Sequence, residues 1–383
     1  MIYYQLAILL VLLVPLAIAV RNYFVFQQIR SREQPRLMPQ VSVLVPARNE
    51  ERCIADCISS LLHQTYPNIE LIVLDDASED GTGAILQRLQ QKRPDLQIVQ
   101  GLPLPDGWTG KNWACYQLGL MGTGDLLVFT DADTVHSPES IAALVAYSEK
   151  TGAQFFSGVP YQQLKTFWER VIIPMTQFLY FAYLPNEWIA GRANPKFSAA
   201  NGQLLCITRS AYDRIGGHES VKDSIVEDVA LGKLAKEYRL RTALATATET
   251  VQCRMYTSFP EIMEGFSKNF FPGLGYNTLL LLGFILSSFA LYVAPIGFLG
   301  AGIITGEYSL AWFWLPLFHA GLGMTIRALT AARFRMDRTQ AFLHPLSVLM
   351  AIVIGINSAR LAWFGKGHQW KGRSYGSLRN RVD

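Results

Sequence analysis

The sequence predicts an α/β fold, a parallel doubly wound sheet joined to membrane-spanning segments at both ends of the chain. Three observations predict it. Between Val41 and Thr130, short apolar runs alternate with longer stretches of helical periodicity, the pattern of repeated βαβ units. Acidic residues stand where those runs stop: Asp75 and Asp76 after Leu71–Leu74, Asp131 and Asp133 after Leu126–Thr130, and Glu227–Asp228 in VKDSIVEDVALG. Carboxylates at the carboxyl ends of parallel strands line the crevice in which open α/β sheets bind ligands. Finally, the 383 residues are 50% hydrophobic and only 17% charged, and the apolar excess gathers at the two ends.

Tyr3–Val20 is an uncharged apolar run closed by Arg21. Its length fits a membrane span better than the shorter core of a signal peptide. No basic residue precedes it and no small-residue cleavage site follows, so residues 1–22 read as an uncleaved anchor. Residues 23–40 form a basic, Pro-containing linker. The expected elements then follow as strand Val41–Val45, helix Cys53–Gln64, strand Ile69–Leu74, helix Gly83–Lys92, strand Leu96–Val99, helix Asn112–Met121 and strand Leu126–Thr130. The domain they begin is expected to run over 41–276. Within it, the aromatic stretch Phe167–Ala190 is interrupted by Pro174, Pro185, Asn186 and Glu187, and reads as an amphipathic segment on the membrane surface.

Residues 277–365 form the expected C-terminal transmembrane region. Thr278–Thr305 is long enough to span, Leu310–Ile326 is marginal, and Phe342–Phe364 spans on length but carries Pro345, Asn357 and Arg360. Residues 366–383 are a basic tail. Arg21, Arg30, Arg32 and Arg36 follow the anchor, which places the catalytic domain in the cytoplasm of a multi-pass protein of the cell inner membrane. Arg327, Arg333, Arg335 and Arg338 fit a second cytoplasmic loop. The tail's Lys366, Lys371, Arg373, Arg379 and Arg381 also favour the cytoplasm, which conflicts with Phe342–Phe364 as a simple crossing. The net charge of +4 is spread along the borders of the apolar segments, which speaks against nucleic-acid binding. Five scattered cysteines, Cys53, Cys57, Cys115, Cys206 and Cys253, call for no oxidising compartment, and the Cys53/Cys57 pair reads as a buried helix face.

Asp131 and Asp133, two apart on extended backbone, would point to one side and could share a hard divalent cation. Such a cation beside a nucleotide diphosphate makes a site for moving a group off that diphosphate.

The stretch VSVLVPARNEERCIADCISSLLHQTYPNIELIVLDDASEDGT, the Asp-x-Asp of LLVFTDADT and the Glu-Asp of VEDVALG together resemble family 2 glycosyltransferases of the GT-A fold. GWTGKNWAC, Gly217–Asp223, Arg254–Met255–Tyr256 and Trp370–Lys371–Gly372–Arg373 sharpen the likeness toward diaponeurosporenoate (carotenoid acid) glycosyltransferases and, more distantly, hopanoid-associated ones. The resemblance implies a nucleotide-sugar-binding domain, a UDP-hexose as donor, Mg²⁺ or Mn²⁺ as cofactor, and a membrane lipid or isoprenoid acceptor. It assigns Pro46, Arg48 and Glu50 to the border of the nucleotide base, Asp76 to the base itself and Lys111 to the diphosphate. Asp131 is assigned to the ribose and metal, Asp133 to the metal, and Asp228 to the catalytic base, oriented with Glu227.

The residue types suit that chemistry independently: a cation and Lys111 can stabilise the leaving diphosphate, and a carboxylate can take the acceptor's proton. One base on the face opposite the leaving group gives a single displacement with inversion. The Gln-x-x-Arg-Trp motif of processive polysaccharide synthases is missing, since the corresponding stretch reads EIMEGFSKNFFPG; Lys268 or Arg254 could supply the cation. The synthase is the alternative enzyme, and a non-catalytic membrane scaffold the alternative of another class, which the presence of Lys111, Asp131, Asp133 and Asp228 speaks against. Bland readings stand beside several residues. Asp75 either serves the site beside Asp76 or caps a turn, Glu79 and Asp80 read as turn residues, and His218 either lines the acceptor site or is an exposed loop histidine. His136 is expected to touch no donor, and Trp108 and Trp113 are expected in the core, with packing on sugar or lipid as the other reading.

Overall fold

A computed structural model describes residues 1–364 and 368–375, and the chain divides into two compact units. One comprises Phe26–Gln163 and Glu187–Met255; the other comprises Met1–Val25, Leu164–Asn186 and the chain from Tyr256 onward. Lys366, Arg379 and Arg381 of the basic tail lie outside the described residues.

The first unit is built on eleven strands: β1 (Gln27–Gln28), β2 (Val41–Ala47), β3 (Ile69–Asp75), β4 (Gln97–Gln100), β5 (Leu126–Thr130), β6 (Thr134–His136), β7 (Phe155–Val159), β8 (Tyr161–Gln162), β9 (Leu204–Thr208), β10 (Thr242–Thr246) and β11 (Val251–Cys253). Eight of them form one sheet in the order β1-β10-β7-β9-β5-β2-β3-β4. β2 alternates its side chains between two cores, with Val41, Val43 and Val45 on one face and Leu44 on the other. Both faces are covered, so the strand reads as a continuous apolar run. The sheet grows from β2 through β3 to β4, then crosses back so that β5 pairs with the other edge of β2. Such a reversal opens a crevice at the carboxyl ends of the strands, here between β2 and β5.

The expected parallel sheet is corrected to a mixed one. β9 runs antiparallel to both β5 and β7, inserted between them. Its apolar run LLCIT is buried on both faces, and such a run carries no sign of strand direction. A small second sheet, β6-β11-β8, stands beside the carboxyl end of β5.

Among the described residues of the other unit, three helices are long and apolar enough to cross a membrane: Ile2–Val25, Thr278–Thr305 and Arg338–Phe364. Helix Leu315–Arg333 adds a fourth apolar element, continuous with a π-helical turn at Leu310–Trp314. The polar residues of Arg338–Phe364 face helix Phe259–Gly273, where Asn357 Nδ2 donates to Ser267 Oγ at 2.9 Å and Ser358 Oγ donates to the Ser267 carbonyl. Residues 167–190 form three short helices broken at Pro174 and Pro185, Phe167–Ile172, Met175–Tyr183 and Asn186–Gly191. Val171 and Ile172 pack on Ile262 and Ile354, and Phe178 and Phe181 are buried. Val171, Ile172, Phe178 and Phe181 are thus spent on protein packing, whereas Phe167, Tyr183 and Trp188 remain exposed. Residues 164–186 and 256–276 accordingly group with the long apolar helices, which divides the expected 41–276 domain.

Candidate active site

Lys111 stands in the first turn of helix Gly110–Met121, which Thr109 caps by accepting from the Asn112 N–H. Its ammonium meets Asp131 Oδ1 at 2.8 Å and Glu227 Oε1 at 2.9 Å. Three segments far apart in sequence thereby converge: the end of β5, the start of helix Gly110–Met121, and the start of helix Glu227–Glu237. Burial works against the Lys111 charge, but the two carboxylates outweigh it and hold its pKa well above the ordinary lysine value.

Asp228 follows in the first turn of helix Glu227–Glu237 and accepts from the Val229 N–H at 2.8 Å and from the Gly202 backbone. Burial, and then the neighbouring charge of Glu227, lift its carboxyl to about 7 despite the opposing charge of Lys111. Gly202 is a site residue that sequence reasoning missed. A Cβ there would lie 3.1 Å from Lys111 Nζ, 3.3 Å from Glu227 Oε1 and 3.5 Å from Asp228 Oδ2. Only a residue without a side chain lets the backbone come so near the cluster.

A small cavity of about 10 Å³ opens here, room for about one water-sized centre, lined by Pro46, Lys111, Asp131, Gly202, His218 and Glu227 among others. The expectation of an exposed His218 is corrected. The side chain is only 2% exposed, stacks its edge on Phe129 with ring centres 4.7 Å apart, and meets Tyr212 Oη through Nδ1 at 2.9 Å. Burial lowers its pKa to about 4, so the ring is neutral near pH 7. Tyr212 is fitted by Gly217, at φ +53°, where a Cβ would come 2.5 Å from the ring. The Gly216–Gly217 pair suggested a loop; the tyrosine six residues before His218 was the signal for burial.

Asp131 and Asp133 do not lie on extended backbone. They occupy a tight turn after β5, closed by the Thr134 N–H donating to the Asp131 carbonyl at 3.2 Å, so the same-side argument for a shared cation loses its basis. The turn is anchored by Thr130, Thr134 and His136, whose Nε2 lies 3.1 Å from Thr130 Oγ1; burial holds His136 neutral with a pKa near 3. Asp133 lies beside the buried thiol of Cys253, which burial and then the charges of Asp133 and Asp131 push well above its usual value. No group of three or more metal-capable side chains occurs among the described residues.

The remaining residues fall around the β2 and β3 ends. Pro46 lines the cavity and Asp76 is 4% exposed. Arg48 donates to the carbonyls of Asp76 at 2.7 Å and Ala77 at 2.6 Å and pairs with Glu79 at 3.0 Å, so it shapes the loop that carries Asp76. Glu50 accepts from the Cys53 thiol and gives its N–H to Thr82 Oγ1. Asp75 accepts from the Ser78 N–H at 3.0 Å as a turn cap, and Asp80 accepts from Thr82. Arg254 directly follows β11, whereas Lys268 lies on helix Phe259–Gly273 of the other unit. Trp108 and Trp113 are half-buried in a cluster with Tyr116 rather than in the core, with Trp113 Nε1 donating to the Leu102 carbonyl. All five cysteines are free; Cys57 is buried and Cys53 half-buried.

Residues 42–204 match the Glycosyl transferase family 2 sequence family, a match that stops short of Glu227 and Asp228. The chain is 25% identical over 347 residues to a 4,4'-diaponeurosporenoate glycosyltransferase of Staphylococcus haemolyticus, covering 88% of each chain. It is 28% identical over 244 residues to the enzyme of that name from Staphylococcus aureus, covering 61% of this chain and 62% of that one. Among solved structures it resembles the mannosyltransferase PcManGT of Pyrobaculum calidifontis, determined with GDP-Man and Mn²⁺. The TM-score is 0.57 at 19% identity, covering 92% of this chain and 98% of that one. With the crevice at β2 and β5 and the mixed sheet, these likenesses give residues 42–204 as a family 2 glycosyltransferase domain in a unit of the GT-A fold, and the chain as similar to the diaponeurosporenoate glycosyltransferases.

Proposed function

We propose that this chain moves a single hexosyl residue from a nucleoside diphosphate sugar, a UDP-hexose by preference, to a hydroxyl or carboxyl of a membrane isoprenoid or lipid, with inversion. The observation that carries the reading is the cluster in which Lys111 bridges Asp131 and Glu227 beside Asp228, whose carboxyl titrates near 7. A base with that pKa is half ionised at neutral pH and strong enough to take a proton in the transition state. The acceptor oxygen bonds to the sugar's anomeric carbon, the bond from that carbon to the diphosphate breaks, and the acceptor's proton goes to Asp228. Lys111 is held charged where the diphosphate's negative charge grows, and Asp76 accepts a hydrogen bond from the nucleotide base.

Asp131 and Asp133 would hold Mg²⁺ or Mn²⁺. Their half-buried carboxylates are hard oxygen donors, and these cations are commonly bound by one or two carboxylates plus substrate phosphates. When bound, the cation supplies charge neutralisation to the leaving diphosphate. The resemblance to carotenoid-acid glycosyltransferases and the three long apolar helices support a membrane-borne acceptor met from the cytoplasmic side of the inner membrane.

Membranes containing the protein, incubated with labelled UDP-hexoses and extracted with organic solvent, should place label in the lipid phase. Insoluble polymer would instead indicate a processive synthase, and no incorporation a scaffold. EDTA should abolish incorporation, and added Mn²⁺ or Mg²⁺ should restore it; full activity in EDTA overturns the metal assignment.

A further inference from the structure

Arg327 is the largest fully buried side chain of the protein, 1% exposed, on helix Leu315–Arg333 among the apolar helices. Its Nε and Nη1 meet no hydrogen-bond partner, and Nη2 reaches only the Arg170 carbonyl, at 3.4 Å. No carboxylate pairs with it among the described residues. A guanidinium cannot shed its proton to escape burial, so a dry and unpaired one is among the most costly arrangements a protein can hold. The expectation of Arg327 in a cytoplasmic loop is thus corrected to a residue buried within a helix, and an ionisable group buried among apolar helices marks a place where a partner arrives.

A second side chain in the same region shares this condition. His344 is 1% exposed, and neither ring nitrogen has a partner. Gly323, one helical turn before Arg327 and so on the same face, presses on His344 and Tyr292; a Cβ there would come 3.2 Å and 3.0 Å from them. The His344 ring also packs on Phe178, at 4.6 Å between centres, and on Tyr292, at 4.8 Å. Tyr292 in turn shares its hydroxyl with Tyr183 at 2.6 Å. An unsatisfied imidazole thus stands within an aromatic wall, packed against the helix face that carries the cationic fork of Arg327 one turn farther on, in the unit with the long apolar helices.

We infer that Arg327 and His344 form a binding site for one oxyanion, a carboxylate or a phosphate, carried on the end of an apolar chain. The anion supplies the charge Arg327 lacks, accepts from its idle N–H groups and from the imidazole N–H, and leaves its apolar chain among Phe178, Tyr292 and the neighbouring helices. The site is distinct from the Lys111 cluster. It is read by binding alone, so its failure leaves the proposed reaction untouched.

The test uses the full chain purified in detergent, titrated with oleate, with dioleoyl phosphatidate and with oleyl alcohol, while thermal unfolding and intrinsic tryptophan fluorescence are followed. Oleate or phosphatidate should bind and raise the melting temperature, and the uncharged alcohol should not. Whichever of the two binds more tightly identifies the source as a fatty or isoprenoid acid or as a phospholipid. Arg327→Met should weaken that binding about tenfold or more, the scale of a lost charge-assisted contact. It should also raise the melting temperature of the unliganded protein, because an unpaired buried charge is gone. A purely structural arginine predicts the reverse: a lower melting temperature and unchanged affinity, either of which overturns the inference. Should Arg327→Met fail to accumulate, His344→Phe serves in its place, and oleate and phosphatidate affinities equal to wild type there are equally fatal. Equal binding of oleyl alcohol by the wild type would show that the site reads chain, not charge, and overturn it too.

Discussion

Asp228 and Glu227 are adjacent in the chain, and their different partners divide the work of the site. Glu227 spends a carboxylate oxygen on Lys111, whereas Asp228 takes only backbone N–H groups. Burial and the charge next door then lift Asp228 to about 7. A base acts only when ionised, so kcat/KM should climb with pH through about 7 and level off above it. Glu227→Gln removes the repelling charge and should move that rise to lower pH; an unmoved profile would dissociate the rise from Asp228. Asp228→Asn should cost roughly two to four orders of magnitude in turnover, the range for a lost general base. Calorimetry with Mn²⁺ present should find its donor affinity little changed, and turnover within a few-fold of wild type would shift the base to Glu227. Asp76→Asn should do the opposite, weakening nucleotide binding ahead of turnover.

The loop that delivers Glu227 and Asp228 is fastened by the element that carries Lys111. Asn112, wholly buried, donates from Nδ2 to the carbonyls of Val221 at 2.7 Å, Lys222 at 3.2 Å and Ser224 at 2.9 Å, and the Thr109 N–H donates to the Lys222 carbonyl at 2.8 Å. Asn112→Leu strands the Ser224 carbonyl, at about 1–3 kcal/mol for a buried group left unsatisfied, while the Val221 carbonyl keeps the Ser224 N–H and the Lys222 carbonyl the Thr109 N–H. The expected result is a lower melting temperature and a fall in kcat with donor KM nearly unchanged; an unaltered kcat would separate this clamp from catalysis. Lys111 was legible in the sequence because it sits among aromatics and glycines in GWTGKNWAC, but the clamp beside it was not, since a buried asparagine on a helix carries no periodic signal. Strands β2, β3 and β5 were legible to within a residue or two because each is an apolar run ended by polar residues. The direction of β9 and the turn at Asp131–Asp133 were not, because both are set by what the chain meets in space. Gly202 escaped for the same reason: its neighbour Lys111 becomes a neighbour only once the sheet is assembled, whereas Tyr212, six residues before His218, was a local sign of that histidine's burial.

At the scale of the whole molecule, the chain joins a unit built on the mixed sheet to a unit rich in long apolar helices, and the charges beside those helices decide which side of a membrane the chemistry faces. Helix Ile2–Val25 contains Arg21, and Arg30, Arg32 and Arg36 follow within the distance over which basic residues resist translocation. A tight turn at Gly306–Ser309 separates Thr278–Thr305 from the helical run beginning at Leu310, and Arg333, Arg335 and Arg338 cluster where helix Leu315–Arg333 ends. A helical hairpin between residues 278 and 333 would return this second basic cluster to the side of the first, and the expectation from both clusters is a cytoplasmic sheet unit. Protease added to intact, right-side-out cells should therefore spare the segment from Val41 to Met255, and the same protease should cleave it in inverted vesicles. Digestion of that segment in intact cells would reverse the orientation, and with it the side from which the donor must come.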